Sequence, residues 1–183
     1  MYLVLDTETT GLSPHDRIVS ICWAFYDDDR HEVSTEHHII YPEGFTISAD
    51  ATAVHGITTQ YARQHGIPVE DALTSLHDGI ALHMPRLYVG HNVSYDRPIV
   101  LNENARVAAE ENLSSLATFC TMKSTTHLCR LPRYNGGYKW PTLSELHRHL
   151  FGCSQASAHD AQADVRACAK CFFELRRIGL VRY

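Results

Sequence analysis

The sequence contains no apolar run that approaches the roughly 18 residues needed to cross a membrane. It also lacks a basic start followed by an apolar stretch and a cleavage site, so we expect no secretory signal and a cytoplasmic location. Internal repeats, low-complexity tracts and long linkers are absent too. With 183 residues, 44% hydrophobic and 20% charged, the chain has the length and composition of one globular domain spanning residues 1–183.

The six cysteines lack the spacing that is typical of a structural zinc site. Cys168 and Cys171 fall within a helical pattern and have no second pair, and the other cysteine and histidine groupings do not supply one. In a chain without a secretory signal, we therefore expect reduced thiols that lie mostly in the core.

The net charge of −5 is unevenly distributed along the chain. Residues 1–111 contain 6 basic and 17 acidic side chains, whereas residues 112–183 contain 10 basic and 4 acidic ones. Such a division is typical of a protein with an acidic site beside a basic flank, and it permits a nucleic-acid partner despite the negative total. For the basic residues of the last helix, an ordinary solvated surface is the preferred interpretation.

Hydrophobic periodicity predicts an α/β domain with a mixed sheet. Five segments have the pattern of strands: 2–8, 17–27, 32–42, 86–90 and 117–122. Helices are predicted at 69–84, from about 95 onward, at 123–129, at 142–152 and from about 159 to 177. The helix at 142–152 has the clearest limits, because Thr142 and Glu145 form a capping-box pattern and Gly152 follows as a stop signal.

The first strand ends in the stretch "LVLDTETTGL" (3–12), which raises a physical problem. Asp6 and Glu8 are two residues apart, so their side chains point to the same face of a strand. Two carboxylates on one half-buried face repel each other unless a cation lies between them. This arrangement predicts a metal site. The acidic tripeptide Asp27–Asp29, in contrast, favours a polar hairpin turn over a metal site.

Further candidate ligands occur at the ends of later elements. Asp96 follows an apolar strand and lies near the start of a helix, where capping is the preferred interpretation for an aspartate considered alone. Asp164 lies on the otherwise apolar stripe of the last helix, which is unexpected for a carboxylate that nothing neutralises. His159 lies five residues earlier, about where that helix begins.

In this order, "DTETTGL" (6–12), "HNVSYD" (91–96) and "HDAQAD" (159–164) resemble the motifs of the DEDDh family of 3′–5′ exonucleases. These are DnaQ-like enzymes of the proofreading-subunit type. The resemblance extends from residue 2 to about 176 and includes "DRIVSI", "VHGIT" and "TLSELHRHLFG". It implies a ribonuclease H-like fold with a central mixed five-stranded sheet flanked by helices. It also implies hydrolysis from the 3′ end of mainly single-stranded DNA, with release of nucleoside 5′-monophosphates.

The resemblance also implies roles for individual residues. Two divalent ions, Mg²⁺ or Mn²⁺, would be bound by Asp6, Glu8, Asp96 and Asp164, and His159 would act as the general base toward the attacking water. The terminal nucleotide would be bound by residues near these ligands: Thr7, Thr9, Thr10, Gly11, Leu12, His55, Ile57, Asn92 and Tyr95. For Leu12, Ile57 and Tyr95, packing in the core is an equally good interpretation.

The segment "CRLPRYNGGYKWP" (129–141) adds basic and aromatic residues around a Gly-Gly pair. It is interpreted either as a mobile loop that grips a single strand or as a surface loop whose aromatics pack on the domain. Three further alternatives stay open: an exoribonuclease of the oligoribonuclease kind, a non-catalytic nucleic-acid-binding module, and attachment to a polymerase or repair complex. The sequence does not distinguish a monomer from a homodimer.

Overall fold

The computed structural model describes residues 1–13, 15–154 and 160–181. Its five strands are β1 (Tyr2–Thr9), β2 (Ile18–Tyr26), β3 (Glu32–Ile39), β4 (Leu87–Gly90) and β5 (Thr118–Cys120). They form one sheet in the order β3-β2-β1-β4-β5. β1 to β3 are antiparallel neighbours, whereas β4 and β5 run parallel to β1. The mixed five-stranded sheet predicted from the sequence is confirmed.

Eight helices surround this sheet in the described part of the chain. They are α1 (Ala49–His55), α2 (Thr59–His65), α3 (Val69–His83), α4 (Val93–Val107), α5 (Thr121–Ser124), α6 (Thr126–Cys129), α7 (Leu143–Phe151) and α8 (Ala161–Arg177). One core joins the sheet to α7 and α8, and a second joins its other face to α3 and α4. No described helix is both long and apolar enough to cross a bilayer.

Local sequence signals account for several element ends. Thr142 and Glu145 form the predicted capping box of α7, and Gly152 ends that helix at a φ of 76°. The strand predicted at 117–122 is shorter than expected because α5 begins at Thr121. The two short helices α1 and α2 were not predicted. Each buries a single alanine, Ala51 or Ala62, so neither leaves an apolar periodicity in the sequence.

The acidic segment between β2 and β3 forms a turn, as predicted. The Asp27 side chain accepts a hydrogen bond from the backbone N–H of His31 over 2.9 Å, and the Asp27 N–H donates to the His31 carbonyl over 3.1 Å. The side chains of Asp27, Asp29 and His31 lie close together, but they surround an exposed hairpin end. The hydrogen bonds between Asp27 and His31 are those of a polar hairpin turn.

Candidate active site

Alternation along β1 directs its acidic side chains toward α8. The even-numbered apolar residues at the start of the strand pack with α8, and the odd-numbered ones pack with α3 and α4. Because side chains two residues apart share a face, Asp6 and Glu8 continue the face toward α8, and Thr7 continues the face toward α4. Both acidic residues are partly buried, whereas Thr7 is buried.

Asp164 joins this pair from α8. It lies in the first turn of the helix, four residues before the buried Cys168, and so on the stripe that faces the sheet. One carboxylate oxygen each from Asp6, Glu8 and Asp164 lie within 4.8 Å of one another. The first and last acidic motifs of the sequence therefore meet in one cluster.

Asp96 reaches β1 from the opposite face of the sheet. It lies one turn into α4, and Asn92 takes the N-cap position of that helix. The Asp96 carboxylate is buried and accepts hydrogen bonds from the Thr7 hydroxyl over 2.8 Å and the Thr7 N–H over 3.2 Å. Asp96 is thus fixed to the strand that carries Asp6 and Glu8, and it also lies in the first turn of α4, where an acidic side chain is favoured.

Burial and mutual repulsion make these carboxylates hard to ionise. Burial raises the pKa of Asp6 well above its ordinary value, and the three neighbouring carboxylates raise it further. Burial and then the charge of Asp164 raise the pKa of Glu8 from 4.5 to about 7. Burial also raises the pKa of Asp96 from 3.8 to about 7, although hydrogen bonds from Thr7 oppose the shift.

The donor set of this cluster fits a hard divalent cation. All candidate ligands are carboxylate oxygens, which Mg²⁺ and Mn²⁺ prefer over nitrogen or sulfur ligands. The charges that act most strongly on the pKa of Asp6 and Glu8 are other carboxylates. A cation among them would relieve the repulsion that the fold imposes, so this acidic cluster could bind metal.

A cleft of about 530 Å³ opens beside Glu8. It is lined by Thr7, Glu8, Thr9, Thr10, Gly11, Leu12, Ser48, Asp50, Ala51, Val54, His55 and Tyr95. The Leu12 side chain is 90% exposed at its rim, which excludes the alternative that Leu12 packs in the core. Most of the sequence-predicted substrate residues are therefore brought together on one cleft.

Tyr95 fixes the loop that forms the floor of this cleft. Its hydroxyl lies 2.5 Å from the Thr9 hydroxyl and donates to the Gly11 carbonyl over 2.5 Å. A Cβ at Gly11 would lie 2.7 Å from an Asp16 carboxylate oxygen, so a side chain there would displace the Asp16 carboxylate from the Ser13 N–H and the Thr10 hydroxyl. Tyr95 thus lines the cleft and also holds its shape.

A second cleft of about 310 Å³ lies on the other side of Glu8. It shares Glu8 and His55 with the first cleft and adds Ile57. Ile57 is partly buried against the small core beneath α1 and α2, so it both packs and lines a surface. Asn92 lines neither cleft; it stabilises the turn before α4, where its carbonyl accepts from the Tyr95 N–H over 2.7 Å.

His159 lies outside the described residues. Asp160, its neighbour in the chain, is described and lines the second cleft together with Glu8. The Asp160 side chain also accepts a hydrogen bond from the Gln162 N–H over 3.0 Å and caps α8. Sequence reasoning did not assign Asp160 a role in the site, although an Asp before a helical pattern is a known capping signal.

Sequence reasoning also missed the group that holds the Thr10–Arg17 loop. The buried Glu103 carboxylate of α4 accepts from Arg17 Nε over 2.7 Å, Arg106 Nη1 over 2.9 Å and the Ile18 N–H over 3.2 Å. Arg106 in turn donates to the His15 carbonyl over 2.6 Å. No local pattern in the sequence identifies this network, because its members are up to 91 residues apart.

Solved structures share this architecture. E. coli exonuclease I in complex with a dA16 oligonucleotide matches with a TM-score of 0.76 and 19% identity, over 96% of this chain and 40% of the other. The zinc-bound form of an E. coli exonuclease I–ssDNA complex matches with a TM-score of 0.80 and 20% identity, over 97% of this chain and 41% of the other. This chain spans about two fifths of those proteins, and it has their ribonuclease H-like fold.

Sequence comparison gives a closer functional relation. The exonuclease CP81 of Escherichia phage 186, itself uncharacterized, is 28% identical over 171 residues, which is 90% of this chain and 82% of that protein. The model of the RNase_T family, described as exonuclease, matches residues 3–172. That range contains the cluster of Asp6, Glu8 and Asp164, the neighbouring Asp96 and the residues that line both clefts. The chain therefore belongs to the RNase_T exonuclease family, of the DnaQ-like DEDDh type.

Proposed function

We propose that this nuclease is a metal-dependent 3′–5′ exonuclease that acts mainly on single-stranded DNA and releases nucleoside 5′-monophosphates. The observation that carries the proposal is the meeting of Asp6, Glu8 and Asp164 within 4.8 Å at the edge of a cleft. Single-stranded DNA is favoured because the similar exonuclease I structures contain dA16 or ssDNA. That residues 1–183 act as one exonuclease domain stays a prediction.

In this proposal, Asp6, Glu8, Asp96 and Asp164 would hold two divalent ions, Mg²⁺ or Mn²⁺. When bound, two such ions activate water and stabilise the charge on the leaving oxygen. Rigid, regular elements position all four proposed ligands. Asp6 and Glu8 lie on β1, and Asp164 lies on α8. Asp96 lies on α4 and is held by a hydrogen bond from the Thr7 hydroxyl. Such rigidity keeps the ligand geometry fixed while the substrate changes.

His159 is proposed as the general base that takes a proton from the attacking water. A histidine changes its protonation state near neutral pH, which suits this role. Asp160, the residue after His159 in the chain, lines the second cleft together with Glu8. This position of Asp160 supports the proposal. We expect His159→Ala to lower kcat steeply while the affinities for metal and substrate change little. A near-normal kcat would refute the assignment.

The larger cleft is proposed to hold the terminal nucleotide. The backbone of Thr9, Thr10 and Gly11 forms its floor, and the exposed Leu12 at its rim offers an apolar face to the base. Stacking on apolar faces depends little on base identity, so we expect weak base preference. His55 and Ile57 would line the side of the cleft that continues beyond Glu8.

The decisive experiment compares single-stranded DNA and RNA oligonucleotides of identical sequence, labelled at the 5′ end. Each is incubated with the protein in Mg²⁺, in Mn²⁺ and in EDTA, with Asp6→Ala as the control for contaminating nucleases. We expect a descending ladder on DNA that requires both metal and Asp6. Faster cleavage of RNA would replace the DNA proposal with an exoribonuclease. A ladder in Asp6→Ala would trace the cleavage to a contaminating nuclease. Cleavage in EDTA by the unmodified protein, absent from Asp6→Ala, would refute the metal-dependent mechanism.

A further inference from the structure

An unusual stretch of the chain follows α4. From Asn112 to Ser144 the sequence contains no aspartate or glutamate, although it contains Lys123, Arg130, Arg133 and Lys139. The rest of the protein carries 21 acidic residues. The segment therefore carries four cations and no carboxylate of its own, which is typical of a surface that attracts anions.

The middle of this stretch is a small hairpin, which we call the basic hairpin (residues 129–141). Pro132 pairs with Tyr138 as an antiparallel bridge, and the Lys139 N–H donates to the Leu131 carbonyl over 2.9 Å. Its turn is closed by the Gly136 N–H, which donates to the Arg133 carbonyl over 3.2 Å. Gly136 adopts a φ of 86°, a left-handed conformation that glycine accommodates without strain. The segment is therefore a defined hairpin, in which Tyr138 packs edge-on against the His127 ring of α6 while the Tyr134 side chain at the turn is fully exposed.

The hairpin exposes aromatic rings beside its cations. Tyr134 is fully exposed and Trp140 is 59% exposed, although large aromatic surfaces are normally buried. Lys123 lies with its ammonium 5.8 Å from the Trp140 ring centroid. Arg130 and Arg133 are exposed as well. Lys139 is different, because its ammonium donates to both carboxylate oxygens of Glu145.

The base of the hairpin lies at the edge of the sheet that carries the acidic cluster. β1, β4 and β5 are parallel, so their carboxyl ends lie at the same edge. His91 directly follows β4 there, and its ring lies 3.0 Å from the Pro141 carbonyl at the end of the hairpin. Thr121 directly follows β5 and lies 2.9 Å from the other ring nitrogen of His91. The same turn leads through Asn92 into the helix of Asp96.

We propose that Lys123 and the basic hairpin form a second binding surface for the single strand, on the 5′ side of the nucleotide being removed. Arg130, Arg133 and Lys123 contact phosphates, and Tyr134 and Trp140 stack on bases. Interleaved cations and exposed rings are the combination that binds single strands without reading their sequence. The inference rests on the proposed function. Because the surface lies on the 5′ side of the terminal nucleotide, substrates of two or three nucleotides are too short to reach it.

The test compares long and short substrates. We would measure KM and kcat for dT20 and for dT3 with the double variant Arg130→Ala/Arg133→Ala and with Trp140→Ala. The matched control is Lys170→Ala/Arg177→Ala, which removes two exposed cations from α8. We expect the KM for dT20 to rise about tenfold in the hairpin variants. Cleavage of dT3 should change less than twofold, and the control should behave like the unmodified protein.

Equilibrium binding separates this inference from the proposed function. Fluorescence anisotropy with labelled dT20 is measured in an Asp6→Asn background, across a series of salt concentrations. Loss of the two arginines should reduce the slope of log Kd against log salt by about 1.4. An unchanged Kd in the hairpin variants, or an equal loss in the control variant, would overturn the surface even if the protein cleaves DNA normally. If the unmodified protein cleaves nothing, the proposed function fails while the binding data still judge the surface.

Discussion

Burial and neighbouring carboxylates disfavour the ionised form of Glu8 and of the acidic residues around it. The pKa of Glu8 rises to about 7 through burial and the charge of Asp164, and the pKa of Asp96 also rises to about 7. A carboxyl group whose pKa is raised by folding binds its proton more tightly in the folded state than in the unfolded chain. The metal-free protein should therefore lose stability as the pH rises from about 4 to about 7.

We expect this loss to be on the order of several kcal/mol, since one pKa unit corresponds to about 1.4 kcal/mol and only the share of the partly exposed Glu8 is screened by solvent. Asp6→Asn removes one of the repelling charges and should raise the melting temperature in EDTA at pH 8. Saturating Mg²⁺ should stabilise the unmodified protein more than the variant. Thermal unfolding from pH 5 to pH 8, with EDTA or with Mg²⁺, checks this. A metal-free protein that becomes more stable between pH 5 and pH 8 would contradict it.

Thr7, which lies between Asp6 and Glu8 in the sequence, positions the Asp96 side chain. Its hydroxyl donates to the Asp96 carboxylate over 2.8 Å, on the face of β1 opposite the other proposed metal ligands. Thr7→Val keeps the shape but removes this donor, and the loss of such a supporting hydrogen bond to a metal ligand costs about 10- to 100-fold in activity or metal affinity.

Thr7→Ser is the matched control because it retains the hydroxyl. We expect Thr7→Val to need a higher Mg²⁺ concentration for half-maximal rate, and Thr7→Ser to restore most of the affinity. Titration of the cleavage rate with Mg²⁺ measures both. If Thr7→Val and Thr7→Ser shift the Mg²⁺ requirement equally, the hydroxyl does not position Asp96.

At the scale of elements, α4 links the acidic cluster to the loop that lines the larger cleft. Asp96 lies at its start, and two turns later the buried Glu103 accepts from both Arg17 and Arg106. Arg17 belongs to the loop that begins at Thr10, and the Thr10 N–H donates to the Arg17 carbonyl over 3.0 Å. One helix therefore sets the relative position of a proposed metal ligand and the floor of the cleft.

Glu103→Gln should destabilise the fold by about 3 kcal/mol, because it leaves two arginines around a neutral side chain. The KM for DNA should rise more than kcat falls, since the loop is loosened while the carboxylates stay in place. Glu110→Gln is the control, because Glu110 is exposed and should change stability by less than about 0.5 kcal/mol. Urea unfolding and steady-state kinetics provide the two readouts. A fall in kcat alone would argue against a role for Glu103 in holding the loop.

Elements with strong local signals could be predicted from the sequence, and those formed by distant contacts could not. The capping box at Thr142 predicted α7, and the helical spacing of apolar residues predicted α8. The short helices α1 and α2 lack such a period, although the capping residues Ser48 and Thr58 precede them. In the site, alternation on β1 was enough to pair Asp6 with Glu8. The contact between Thr7 and Asp96 spans 89 residues and leaves no local trace.

For the whole molecule, the separation of charge follows the architecture. The carboxylates of the acidic cluster come from both ends of the chain, whereas the residues from 112 to 144 lack acidic side chains. A nucleic-acid strand that approaches the metal-free cleft meets repulsion from the cluster and attraction from the basic hairpin. Under the proposed function, neutralisation of the cluster is therefore expected to be a condition for tight binding of a 3′ end.

Divalent cations should consequently tighten the binding of single-stranded DNA. We expect the Kd for dT20 to be at least about tenfold lower with 5 mM Ca²⁺ than with EDTA at equal ionic strength. A tenfold change in Kd corresponds to about 1.4 kcal/mol, which is a modest gain for removing repulsion between neighbouring charges. A 3′-terminal phosphorothioate linkage limits hydrolysis during the anisotropy measurement. Asp6→Asn/Glu8→Gln removes two of the charges, so this double variant should bind more tightly in EDTA and respond less to Ca²⁺. If the Kd of the unmodified protein for dT20 is the same with and without Ca²⁺, repulsion from the acidic cluster does not limit the binding of the strand.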